Sequence, residues 1–268
     1  LRALWSLHAL GATDEAFLIT LLRHPDEHLR TWAVRLMTDD WALDKVVEVA
    51  SSDPVRRITS SPGLARLLAQ QARTETSGLV RLALASALQR LSIEERIPLA
   101  AALVAHRADA ADHNLPALIW YGLIPVADSF PGELANLANV CELPLTRRLI
   151  ARRLAEDLER QPAPVNSLIL LASTKGEGFQ SDILSGIADG IAGWRKATKP
   201  EAWDAFSQQI KNSANTSIRE RTRDLSLVFG DGRALDGVLD WIDQRVVLTL
   251  RAFAHTWFPF QSASRLRA

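Results

Sequence analysis

The chain has 268 residues, 47% of them hydrophobic, and its 31 lysines and arginines offset 31 aspartates and glutamates. That length admits one large domain or two smaller ones, and the neutral balance removes any bulk electrostatic drive towards nucleic acid or an anionic membrane. A single cysteine, Cys141, excludes an internal disulfide, a cysteine-rich zinc site and a C-x-x-C-H haem attachment within this sequence.

Apolar residues recur at intervals of three and four, while the alternating Val, Ile, Thr and Tyr runs that announce strands are missing. The chain opens on Leu1, Leu4, Trp5, Leu7 and His8, a helical pattern with no capping Ser, Thr, Asp or Asn before it. The segment is therefore expected to be a piece of a longer polypeptide, any signal peptide lying upstream. Breaks follow at Gly11-Ala12-Thr13, His24-Pro25-Asp26, Asp39-Asp40, Ser60-Ser61-Pro62-Gly63, Thr76-Ser77-Gly78, His113-Asn114, Ser129-Phe130-Pro131-Gly132, Gln161-Pro162-Ala163-Pro164, Lys175-Gly176, Lys199-Pro200 and Asn212-Ser213. Between them lie segments of about 10 to 18 residues, the ordinary length of helices joined by tight turns. The most apolar late stretch, Val246 to Phe260, is interrupted by Arg251 and His255. It falls short of the roughly 20 apolar residues needed to span a bilayer, so no transmembrane segment is expected and the chain reads as soluble. Phe253, Trp257, Phe258 and Phe260, followed by Arg265 and Arg267, read as a closing helix or as an apolar patch facing another domain or a membrane surface.

A repeat emerges when the segments are superposed: an Arg preceded by an aliphatic residue or Arg, with small or apolar residues three and six positions later. Four copies stand out: Leu29-Arg30 with Ala33 and Leu36, Val80-Arg81 with Leu84 and Ala87, Arg147-Arg148 with Ala151 and Leu154, and Ile218-Arg219 with Thr222 and Leu225. The apolar positions are expected to seat one helix on its neighbours, and the Arg to bond turn carbonyls or an acidic turn residue nearby. These features predict an all-α, HEAT-like α-solenoid of antiparallel helix pairs forming a single domain over 1–268. The copies are 51, 67 and 71 residues apart, longer than the roughly 40 to 47 of one HEAT unit. Irregularity is accordingly expected around residues 100–140 and after 160.

Two stretches go beyond generic repeat character. They are Leu1 to His8 followed by His24 to Leu36, and Asp112 to Gly122, supported by Leu82 to Leu91 and Arg148 to Ala155. Together they resemble the helical middle of large multidomain proteins of Planctomycetes and Verrucomicrobia, the membrane-bound dehydrogenase family. The resemblance spans residues 1–160, with 161–268 a less closely matched helical continuation. It implies an extracytoplasmic, periplasmic protein with a sugar-dehydrogenase-like β-propeller before the HEAT segment and a cytochrome c domain after it. Neither module lies within these residues, so the resemblance carries over a role as spacer or docking surface and no catalytic residue. A weaker resemblance, to DNA glycosylases or lyases built on HEAT-like repeats, would require a positively charged groove with an acidic catalyst.

The most distinctive local sequence is Asp112-His113-Asn114 ahead of Trp120-Tyr121. It makes His113, Asn114, Trp120 and Tyr121 the candidate interaction surface, with hydrogen-bonding groups beside amphipathic rings. The bland alternative has Asn114 or His113 capping a helix while Trp120 fills the core. His24 and His28 are four apart, but Pro25 is expected to start the helix and leave His24 outside it, and the pattern is not H-E-x-x-H. Arg147, Arg148, Arg152 and Arg153 are expected to form a self-neutralised face through the pairs Arg152–Glu156, Arg153–Asp157 and Glu156–Arg160. Gly176-Glu177-Gly178 lacks the ending of a phosphate loop, and Gly186, Gly190 and Gly193 at helical spacing suggest close helix packing. No catalytic, metal or cofactor constellation is found. The chain is therefore read as a non-catalytic scaffold for a protein or neighbouring domain.

Overall fold

The computed structural model describes residues 1–41, 43 and 62–230. The aromatic run from Phe253 to Phe260, the basic end at Arg265 and Arg267, and the Ser60-Ser61 turn lie outside the described residues. Among those described, every regular element is helical and no strand forms. The helices are α1 (Arg2–Ala9), α2 (Glu15–Leu21), α3 (Glu27–Thr38), α4 (Pro62–Thr74), α5 (Gly78–Ala87), α6 (Ile93–Val104), α7 (Leu115–Leu123), α8 (Val126–Ser129), α9 (Pro131–Leu137), α10 (Pro144–Glu156), α11 (Pro162–Thr174), α12 (Glu177–Gly190), α13 (Trp203–Ile210) and α14 (Thr216–Val228).

Their starts follow from local chemistry. The first backbone N–H groups of a helix lack intrahelical partners and need an acceptor. Asp14 supplies one to Phe17, Ser77 to Val80 and Asn215 to Ile218. Proline opens α7, α9, α10 and α11, where its missing N–H costs nothing. At α3 the cap is Asp26, which accepts from the His28 and Leu29 N–H groups. The helix thus begins after the Pro25 expected to start it, and His24 lies outside, its Nδ1 accepting from the Asp26 N–H.

Consecutive helices pair, α2 on α3, α4 on α5, α6 on α7, α9 on α10, α11 on α12 and α13 on α14. Most also meet their counterparts in the neighbouring pair. Thus α3, α5, α7, α10, α12 and α14 make one row of successive contacts, and α4, α6, α9, α11 and α13 a second. The core lies between the rows, where Leu68, Leu84, Leu103, Ile119, Ile150, Leu168 and Ile187 lose all or nearly all contact with solvent. Its last part gathers on Trp203, which meets Phe229 edge-on at 4.8 Å between ring centres and donates its indole N–H to Ser226 Oγ at 3.0 Å.

The irregularity expected over 100–140 takes the form of a 3-10 turn at Arg107–Ala111, the single turn of α8 and another 3-10 turn at Ala138–Val140. After residue 160 the pairing continues through α14, with one long connection between Gly190 and Trp203. This connection is held near its middle, Thr198 donating its N–H and hydroxyl to the Glu159 carboxylate at 2.6 and 2.7 Å, and the adjacent Ala197 N–H reaching the Val228 carbonyl.

The repeated arginine has a defined task, but the register of one copy differs from the sequence reading. Arg30, Arg81, Arg147 and Arg219 each donate to the carbonyl six residues earlier, those of His24, Glu75, Cys141 and Ser213. The third copy is thus Arg147; Arg148 is half-exposed and pairs instead with Asp189. The equivalent arginines are 51, 66 and 72 residues apart. With that register Ala33, Leu84 and Ile150 fall at the third position and Val34, Ala85 and Ala151 at the fourth, all buried. Each of the first three guanidiniums then crosses to a carboxylate of a later segment, Arg30 to Glu75, Arg81 to Asp109 and Arg147 to Asp182. Glu75 joins two copies, since its carboxylate takes Arg30 while its carbonyl takes Arg81.

The closest helix pair is α10 on α12. A Cβ on Gly186 would sit 2.3 Å from the Arg148 carbonyl oxygen, and one on Gly190 2.4 Å from that of Arg152. Gly193 does not share this role. It is a turn residue with φ of +82° and open space where its Cβ would lie.

Candidate functional site

The turn before α7 is organised by Asp112, whose carboxylate accepts the Asn114 and Leu115 N–H groups, both at 2.8 Å. These two backbone donors hold its pKa below the ordinary carboxylate value. Asp112, rather than His113 or Asn114, therefore satisfies the helix start. Both of those side chains are exposed and make no side-chain hydrogen bond among the described residues. On α7, Trp120 is half-buried against the core, whereas Tyr121 one position on is 50% exposed. The four residues marked by the sequence thus divide, with His113, Asn114 and Tyr121 facing outward and Trp120 packing inward.

His113, Asn114 and Tyr121 line an open groove of about 800 Å³ that crosses α3, α5 and α7. Trp32, Arg35 and Leu36 come from α3, Leu82 and Ser86 from α5, and Leu118 from α7. The wall at α3 is built in layers. Trp5 of α1 meets Trp32 edge-on at 4.8 Å, and the Arg35 guanidinium lies over the Trp32 ring, 5.3 Å from its centre. At the rim, Arg90 closes the end of α3 by donating one amino group to the carbonyls of Thr38, Asp39 and Trp41, at 3.1, 3.0 and 2.8 Å. That contact suits the partial negative charge of a helix C-terminus. Trp32, Arg35 and Arg90 were not marked as site residues by the sequence; they are 31 to 89 residues from Tyr121, and no local motif links them.

The remaining constellations are structural. Arg148 reaches Asp189 at 2.6 Å, Arg152 reaches Glu156 at 3.2 Å, and Arg153 reaches Asp157 at 2.7 Å and Asp128 at 2.6 Å. Arg160 pairs with Asp157 at 2.8 Å and not with the expected Glu156, because the chain leaves the α-helix at Asp157 and brings position three back within reach. Cys141 is buried, its thiol donates to the Leu143 carbonyl, and burial pushes its pKa up to about 11. A protonated, enclosed thiol is a poor nucleophile. Among the described residues, no group of three or more His, Cys, Asp or Glu could hold a metal ion, and no helix is long and apolar enough to cross a membrane.

The fold and groove thus define an all-helical protein with an open, mixed aromatic and cationic surface. No protein-family model, curated protein or solved structure matches the chain.

Proposed function

We propose that the chain is a HEAT-like helical scaffold whose α3–α5–α7 face docks a protein partner or neighbouring domain. The observation that carries this reading is the convergence of Trp32, Arg35, His113, Asn114 and Tyr121 on one open groove. Aromatic rings and guanidinium groups are the side chains that supply most binding energy at protein interfaces. The two rows of helix contacts support the solenoid reading, since each helix covers the apolar face its neighbour cannot bury alone. The resemblance to the membrane-bound dehydrogenase family adds that the docked domain is a propeller or cytochrome c module of an extracytoplasmic redox protein.

The test is to express the propeller and cytochrome c modules encoded in the same reading frame and titrate each into this chain by calorimetry. Binding that Tyr121→Ala weakens about ten-fold or more supports the reading. A reading frame without such modules removes the redox context and leaves a free-standing scaffold. Turnover of a sugar or alcohol by this chain alone overturns the scaffold assignment.

A further inference from the structure

We propose that the occupant of the α3–α5–α7 groove is an extended peptide segment carrying acidic side chains, with Arg35 as its principal carboxylate anchor. This rests on the docking reading above and concerns the chemistry of the partner. Arg30, Arg81, Arg147, Arg148, Arg152 and Arg153 each have a carboxylate within 3.2 Å. Arg35 and Arg90 form no ion pair among the described residues, as is also true of Arg23, Arg73, Arg107 and Arg195 elsewhere; what sets the first two apart is that both line this groove, beside its apolar floor. Arg35 is exposed and is held over the face of Trp32, a contact that orients the planar fork while leaving all its donors available. Arg90 spends a single amino group on the end of α3, and its Nε and second amino group have no partner among the described residues.

One carboxylate, Asp39, also lines the groove, against two guanidiniums. The surface therefore retains one cationic excess beside apolar floor residues such as Leu36, Leu82 and Leu118. Bidentate carboxylate recognition suits a planar fork better than it suits a lysine. Two guanidiniums with an opposing carboxylate are too few for a phosphate backbone, whose binding grows with the number of charges neutralised. Packed helices stand about 8–10 Å apart. The path from α3 to α7 is thus about 20 Å, the length of about six extended residues at about 3.3 Å each.

The experiment is selection of a random dodecapeptide library on the immobilised full chain, with counter-selection on a Leu118→Asp variant shown by circular dichroism to be folded. Selected peptides are then synthesised with a fluorescein label and titrated by anisotropy. Groove-dependent peptides are expected to carry Asp or Glu beside an apolar residue. Arg35→Gln is expected to weaken them about ten-fold or more, Arg35→Lys to recover part of the loss, and added salt to weaken binding to the native chain. Groove-dependent peptides without acidic residues, or titrations unmoved by Arg35→Gln, overturn the acidic occupant while leaving the docking face standing. Failure to recover any groove-dependent peptide overturns both. A fluorescein-labelled oligothymidylate that binds the native chain and not the Leu118→Asp variant assigns the groove to nucleic acid and overturns the peptide.

Discussion

The Arg81 guanidinium meets the Asp109 carboxylate with Nε at 2.6 Å from Oδ2, while its other amino group reaches the Glu75 carbonyl at 2.9 Å. Both side chains are over nine-tenths buried. One arginine thereby ties the turn before its own helix to the turn before α7, the same turn that presents His113 and Asn114.

Removing one member of this pair leaves a buried charge without its partner. Arg81→Met is expected to cost about 3–5 kcal/mol, whereas Arg81→Met combined with Asp109→Leu costs less than the sum of the two single changes. Urea denaturation of the two single variants and the double variant measures the coupling. Additive losses would show that the pair does not act as a unit.

Glycines on α12 separate two opposing effects. Alanine normally favours a helix over glycine by about 1 kcal/mol. At Gly186 and Gly190 the added methyl collides with the α10 backbone, and a net loss of about 1–3 kcal/mol is expected. Gly178→Ala meets nothing within 4 Å and should raise stability by up to about 0.5–1 kcal/mol. Thermal melts of the three alanine variants give the comparison.

Two carboxylates respond to acid with opposite sign. Burial raises the pKa of Glu75, but hydrogen bonds from Arg30, Ser77 and Gln71 outweigh it and leave the folded value below the ordinary 4.5. Its stabilisation is present above that unfolded value and is lost as pH falls through the lower folded one. Asp182 is raised above its ordinary 3.8 by burial, which exceeds the opposing effect of Arg147. The folded state therefore holds that proton more tightly, and Asp182 costs stability as pH rises through its folded value. Glu75→Gln should flatten the acid limb of a stability-against-pH curve. Asp182→Asn should steepen the loss on acidification, because the group that favours folding at low pH is gone.

Cys141, with its thiol pushed to about 11 by burial, should be un-ionised and shielded at neutral pH. A thiol-reactive disulfide reagent should label no cysteine in the native chain and one equivalent in denaturant. Labelling at the rate of a free thiol under native conditions would contradict the packing around Leu143.

Helix content was legible in the sequence, because the three-to-four spacing of apolar residues depends on backbone geometry alone. Turns marked by Gly, Pro or a capping side chain were equally readable, as at Thr76-Ser77-Gly78 and Lys175-Gly176. The boundary at Leu91-Ser92 was not, for it carries neither Gly nor Pro, and the Ser92 side chain makes no capping bond although Glu95 stands three residues later. There the chain is turned by Arg96, which is buried and donates to the Leu91 carbonyl and, at 2.8 Å, to that of Gly122. An arginine 26 residues from its acceptor gives no local signal.

The candidate surface divides along the same line. Asp112-His113-Asn114 and Tyr121 could be marked from sequence because they fall within one turn and one helix. Trp32, Arg35 and Arg90 could not, since only the stacking of α3, α5 and α7 brings them to the same groove. The register of the repeated arginine was settled in the same way. Arg147 and Arg148 are indistinguishable as neighbours in a sequence, but on a helix they point about 100° apart, and packing against α12 places Arg147 at the Cys141 carbonyl and Arg148 at Asp189. Local periodicity by itself determined that this chain forms helices and where most of them turn. Which side chains share a surface was decided by the tertiary structure, because burial and charge pairing act across distances that sequence spacing does not record.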